Sequence, residues 1–378
     1  MKKLFWIFAL FISAGLCFAQ NNDSLYWLKK GNAAAEEGDY NKSILHYTTA
    51  ITMSPAYSFA YFKRGMAKCE LEQYDEGIAD FTKAIQLKPN DTLSFYNRGI
   101  AKSYLKNFEG AIPDFDTAIS LCPDSSRFYY SRGGAKSGAK FYNEAIVDFD
   151  KAIELNPKDA KSHVGRGLAK YKLKKYDEAI EDFNEAIEID PKLSSAYDDR
   201  GLVELVLDEY DAAISDCKVS VKLSPTNYKA WDNLGHAYSK AGEYKNAIHA
   251  FNKELKIKPD DVVGHVNRGV AYYDMGKYSK AIANFNKAID IDPNEGNAYA
   301  WRGEARRAYN QAKNAVDDFT KAIELAPENA DYYYYERGKC QEDLGNFSAA
   351  ADDYKKALEL SPNDPTYKNA LEEVKGKQ

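Results

Sequence analysis

The sequence predicts an all-α fold, a right-handed superhelical α-solenoid of ten helix-turn-helix repeats plus a C-terminal capping helix. Three observations predict it. Prolines recur at a fixed step: Pro55, Pro89, Pro123, Pro157, Pro191, Pro225, Pro259, Pro293 and Pro327 are 34 residues apart, and Pro362 follows after 35. Glycines keep the same register from Gly31, Gly65 and Gly99 through to Gly303 and Gly338, each 24 residues ahead of its proline. Between them apolar residues keep helical spacing, as at Ala145, Ile146, Phe149, Ala152 and Ile153. Self-similarity at a period of ~20–50 residues marks units that cannot bury their apolar face alone and therefore stack.

The chain opens outside this pattern. Lys2 and Lys3 precede the uncharged run 4–16, and Cys17-Phe18-Ala19 offers small-residue cleavage chemistry before the polar Gln20-Asn21-Asn22-Asp23. Residues 1–19 therefore read as a secretory signal peptide. The run is too short for a membrane span of ~20 residues; an uncleaved short anchor stays open as the alternative. Lipid attachment at Cys17 is disfavoured, because Leu16 stands where such a site takes a small residue. Residues 20–23 are a short lead-in. Removing Lys2 and Lys3 takes the net charge from −6 to −8, and no further long apolar stretch follows. The export signal is bacterial in style, which points to the periplasm, the cell envelope or the extracellular space.

Ten units run from Ser24 to Asp364. In each, an apolar helix is stopped by its proline. A polar residue suited to an N-cap then recurs two places on, at Asp91, Asp159, Asn227, Asp261, Asn329 and Asp364. Midway, Gly38, Gly242, Gly276 and Gly345 fall where a left-handed cap reverses the chain. Each unit is thus two antiparallel helices. The one extra residue lies between Pro327 and Gly338. After Asp364, Pro365 opens a helix whose stripe Tyr367, Ala370, Leu371 and Val374 covers the last unit, so 365–378 is a capping helix and tail.

The pattern resembles the tetratricopeptide repeat (TPR) family. Aromatic residues at Trp27, Tyr61, Phe95, Tyr129, Tyr197, Trp231, Tyr299 and Tyr334 precede the glycine, and Phe81, Phe115, Phe149, Phe183, Phe251, Phe285 and Phe319 precede the proline. Tyrosine also recurs at the start of the second helix, which accounts for much of the 29 tyrosines. One departure is systematic. Arginine precedes the glycine where the family often has leucine, with Asp sixteen residues later: Arg64 and Asp80, Arg98 and Asp114, Arg132 and Asp148, Arg166 and Asp182. Repeat seven has Leu234 and Ala250 instead. This co-occurrence predicts bidentate Arg–Asp pairs between helices, read as a structural tie in preference to a charged ladder on a binding face.

The resemblance implies an inner groove from positions 2, 5, 9, 12 and 13 of each unit. In repeats two to four these include Phe59, Phe62, Met66, Tyr96, Ile100 and Tyr130, an apolar and aromatic strip that suits a peptide or partner helix, with interhelix packing as the competing role. Asp198 and Asp232 turn the strip acidic further on, and Tyr332 and Tyr335 face similarly near the end. The family's chaperone-binding carboxylate clamp needs Lys at position 5, which here reads Leu28, Phe62, Tyr96, Tyr130, Val164, Asp198, Asp232, Val266, Ala300 and Tyr335; no clamp is expected.

Composition and motifs exclude other classes. With 51 basic and 57 acidic residues and no basic block, phosphate neutralisation does not drive binding, so no nucleic-acid partner is expected. Cys69, Cys122, Cys217 and Cys340 are far apart, in different units, and read as buried free thiols. The five histidines form no metal-ligand spacing, and Ser131–Lys140 lacks a phosphate-loop pattern. No catalytic, cofactor or metal site is expected. The function so read is a non-enzymatic scaffold for a partner protein or peptide. A glycan- or peptide-binding module of the cell envelope, and an enzyme site built on the solenoid, remain the alternatives.

Overall fold

The computed structural model describes residues 23–377. The expected signal peptide, Cys17 and most of the lead-in lie outside the described residues. All described secondary structure is helical, and no described helix is long and apolar enough to cross a membrane.

Two compact units divide the chain after Pro191, and each holds five helix pairs. In the first, α1 (23–36) pairs with α2 (Tyr40–Met53), α3 (Ser58–Glu70) with α4 (Tyr74–Leu87), and α5 (Thr92–Tyr104) with α6 (Phe108–Leu121). α7 (Ser126–Gly138) and α8 (Tyr142–Leu155), then α9 (Ala160–Lys172) and α10 (Tyr176–Ile189), complete it. The second unit runs α11 (Ser194–Val206), α12 (Tyr210–Leu223), α13 (Tyr228–Lys240), α14 (Tyr244–Ile257), α15 (Val262–Asp274) and α16 (Tyr278–Ile291). It ends with α17 (Gly296–Ala308), α18 (Ala312–Leu325), α19 (Ala330–Asp343), α20 (Phe347–Leu360) and α21 (Pro365–Lys375).

Local chemistry sets the boundaries. Second helices end two residues before each repeat proline, whose ring cannot continue the hydrogen-bond ladder. Asn227, Asp261 and Asp364 cap the next helix by accepting from its backbone N–H groups, while Asp91 and Asp159 accept from the hydroxyls of Ser94 and Ser162. The turn inside every repeat uses the left-handed region. Glycine fills it at Gly38, Gly242, Gly276 and Gly345, but Glu72, Lys106, Lys140, Lys174, Asp208 and Asn310 adopt it with side chains, at φ near +60°. The extra residue of repeat ten does not bulge from a loop. It lengthens α19 to 14 residues, where the preceding first helices α3 to α17 have 13, after a 3-10 turn at Pro327–Asn329.

The core of most repeats is one ring on one glycine, with Cys217 taking the ring's place over Gly201 in repeat six. A Cβ at Gly99 would come within 2.8 Å of Phe115, and one at Gly167 within 2.8 Å of Phe183. Phe115, Phe149, Phe183, Phe251, Phe285 and Phe319 are at most 2% exposed, beside equally buried alanines such as Ala111, Ala145 and Ala179. All four described cysteines are free; Cys217 and Cys340 are buried and Cys69 half-buried. Cys122 departs from the expected burial. It caps the end of α6, where the chain leaves the helix toward Pro123, and is exposed.

Candidate partner-binding surface

The repeated frame is polar as well as apolar. Arg64 Nε and Nη2 donate to the two carboxylate oxygens of Asp80 at 2.9 and 2.7 Å, and Arg98 does the same to Asp114 at 3.0 and 2.6 Å. Arg132 meets Asp148 at 2.9 and 2.5 Å, and Arg166 meets Asp182 at 2.9 and 2.6 Å. The aspartates are 1–4% exposed, so the pairs tie helices together and offer little to a ligand.

Two parts of this tie went unread in the sequence. The third guanidinium nitrogen reaches the preceding second helix: Arg64 to Thr48, Arg98 to Thr82, Arg132 to Asp116 and Arg166 to Asp150. A second cation four residues along, Lys68, Lys102, Lys136 or Lys170, closes on the same aspartate at 2.7–2.9 Å. The arginine also lies over the aromatic ring three residues before it, as Arg302 does over Tyr299 at 5.2 Å. The signal was present as periodic Lys at +4 and Thr, Asp or Asn at −16.

His163, Asp182 and Glu185 bring one donor atom each to within 4.8 Å of one another, a grouping that matches the donor set of a cation site. Asp182 is already held by Arg166 and Lys170, and Arg166 Nη2 stands 3.5 Å from Glu185. The nearer neighbour of Glu185 is His163 Nδ1 at 2.7 Å, so within this grouping Asp182 is the carboxylate tied to the two cations.

The expected groove residues divide. Phe62 is 5% exposed against Phe81, and Tyr96 is 9% exposed between Phe115 and Phe128. Tyr130 is half-buried against Phe149. Position 5 points between neighbouring first helices at the core ring, so Phe62 and Tyr96 are core rather than open groove. Phe59 remains on the surface at 42% exposed, and Met66 and Ile100 come together in a cleft of about 450 Å³ between repeats two and three.

The second unit carries a different face. Asn233 donates to Asp198 at 3.1 Å, and Asn267 donates to Asp232 at 3.0 Å and meets His236 at 2.9 Å. Burial raises the carboxyls of Asp198 and Asp232, and pushes Asp199 up to about 7. Glu204 stands where other repeats have the second cation, and burial beside Asp216 raises it to about 7. Glu254 replaces the alanine found at Ala84, Ala118 and Ala152; it is 1% exposed, lies against Gly264, has an unpartnered Oε2, and burial raises it to about 8.

Tetratricopeptide repeat models match residues 25–57, 60–91, 93–125, 160–193, 262–295 and 332–364, and a TPR repeat model matches 141–174 and 235–276. Together they span more than half of the chain. The chain belongs to the tetratricopeptide repeat family. A model of anaphase-promoting complex subunit 5 also matches residues 305–335, a stretch about one TPR long. No curated protein matches the chain. Among solved structures, it is similar to a TPR protein from Parabacteroides merdae at 19% identity, covering 68% of this chain and 98% of that one, with a TM-score of 0.49. It is similar to YrrB, described as a TPR protein with an unusual peptide-binding site, at 24% identity, 49% and 95% coverage and TM-score 0.41. A chain of the APC/C hetero-tetramer Cut9-Hcn1 matches at 13% identity, 93% and 96% coverage and TM-score 0.49.

Proposed function

We propose that this TPR protein is a non-enzymatic scaffold that holds a partner protein or peptide against its first-helix faces, outside the cytoplasm. One observation carries the reading: the frame is constant while the faces are not. Gly, Phe and the Arg–Asp tie recur from repeat to repeat, whereas the face of the first unit exposes Phe59 and Leu93, and the second presents Asp198, Asp232, Asn233 and Asn267. Packing demands constancy, and recognition demands variation. The recurring arginines and aspartates, the commonest buried charges of the chain, are spent in ties between helices.

The test uses the exported chain as bait in an envelope extract, beside a Phe59→Ser, Leu93→Ser variant. Both residues are surface-exposed, so helicity is expected to stay unchanged while a captured partner is lost. A partner retained in full by the variant moves the site off this face. Export is supported by the charge and apolar run of residues 1–19. Terminal sequencing of the envelope-fraction protein is expected to begin at Gln20, and an intact Met1 would contradict it.

A further inference from the structure

The cleft between repeats two and three has a composition that its equivalents lack. Tyr104 ends α5, a place held elsewhere by Glu70, Gly138, Lys172, Val206, Lys240, Asp274 and Ala308. Its ring is 66% exposed and stacks flat on Tyr74, the first residue of α4, at 5.0 Å and 5° between planes. One repeat later the same space is closed: Phe108 lies so tightly over Gly138 that a Cβ there would come within 2.7 Å of the ring.

The floor and rim are equally specific. Met66 and Ile100 supply an apolar floor, and Glu70 and Glu72 stand at the rim of the roughly 450 Å³ space. Glu72 is held in the left-handed region at φ +61°. Among the described residues neither glutamate has an ion-pair partner, while the nearby Lys68 and Lys102 are engaged by Asp80 and Asp114. Burial first, and then Glu72 with the other neighbouring groups, raises the pKa of the Tyr74 hydroxyl.

We propose that this cleft binds the side chain of an arginine in a partner peptide. The guanidinium plane stacks beside the Tyr74–Tyr104 pair, its donors reach Glu70 and Glu72, and the methylene stem lies over Met66 and Ile100. A planar cation matches a flat aromatic wall with two carboxylates at its edge better than a compact ammonium does.

This assignment rests on the scaffold reading above and is tested separately from it. The full chain is titrated by fluorescence anisotropy, at low salt, with a labelled Gly-Ser-Gly-Arg-Gly-Ser-Gly peptide and with the same peptide carrying neutral citrulline. The arginine peptide is expected to bind about tenfold tighter, the worth of one charge-assisted contact. Glu70→Gln with Glu72→Gln is expected to abolish that preference, while Glu109→Gln at the neighbouring turn leaves it. All these glutamates are exposed, so folding is not at issue. Equal binding of the two peptides, or a preference that survives the double variant, overturns the proposal. If that variant also captures the envelope partner as the original does, the cleft is rejected and the scaffold stands; no partner for either chain rejects the scaffold.

Discussion

Glu254 shows how one residue departs from a repeat and what that does. Eight of the ten repeats place alanine there, and Gly264 makes room for the larger side chain. Burial raises its pKa from 4.5 to about 8, with Asp232 and Asp261 adding to the rise and Arg268 and Lys258 opposing it. The folded state therefore binds the proton more tightly than the unfolded state. Its contribution is fully present below about pH 4.5, falls through the interval up to about pH 8, and is gone above it. Each pH unit in that window costs on the order of 1.4 kcal/mol. Denaturant midpoints at about pH 5 and about pH 8 are expected to differ clearly in the native chain, and to converge when Glu254→Ala and Gly264→Ala restore the pattern of the other repeats. A pH slope unchanged by the pair of substitutions would place the effect in Asp199 or Glu204 instead.

At the scale of the element, the Arg–Asp tie explains why helix pairs keep one geometry. Arg337 and Asp353 are the simplest case, since Gln341 stands where other repeats have the second cation and the arginine's remaining hydrogen bond goes to the neutral Thr320. Asp353→Ala alone strands a largely buried guanidinium and is expected to cost about 1–3 kcal/mol. Asp353→Ala with Arg337→Leu copies Leu234 and Ala250 of repeat seven and is expected to recover most of that loss, measured as a double-mutant cycle in urea. Additive losses would mean that the two side chains do not act as a pair. The helical register, the stops and the sixteen-residue spacing were all legible, because covalent geometry and hydrogen bonding dictate them locally. The threefold reach of each arginine was not. It joins a first helix to the second helices on both sides, and only packing shows which periodic Thr or Asp lies within reach. Pro113 makes the same point. It lies inside α6, and the helix runs on through it with Ala111, Asp114, Phe115 and Ala118 buried on either side.

At the scale of the whole chain, ten copies of one pair still need an end. α21 buries Tyr367 and Val374 against α20 and the ring of Tyr335. Deleting residues 365–378 removes that cover and is expected to cost about 3 kcal/mol, felt mostly in the last repeat. Hydrogen exchange should then speed up in α19 and α20 and stay as before in α11 to α14. Uniform acceleration would show that the second unit opens as one block.

The sequence by itself determined the helical class, the number of repeats, where each helix stops and which residues form the frame. Those follow from local rules repeated ten times, so chance agreement is averaged away. Tertiary structure alone decided which aromatic residues are surface and which are core. Phe59 and Phe62 are three residues apart on one helix and similar in every local respect, yet one is exposed and the other packs on Phe81. The direction of a side chain relative to the neighbouring repeat is set by the stacking of helix pairs, and no spacing within a single repeat records it.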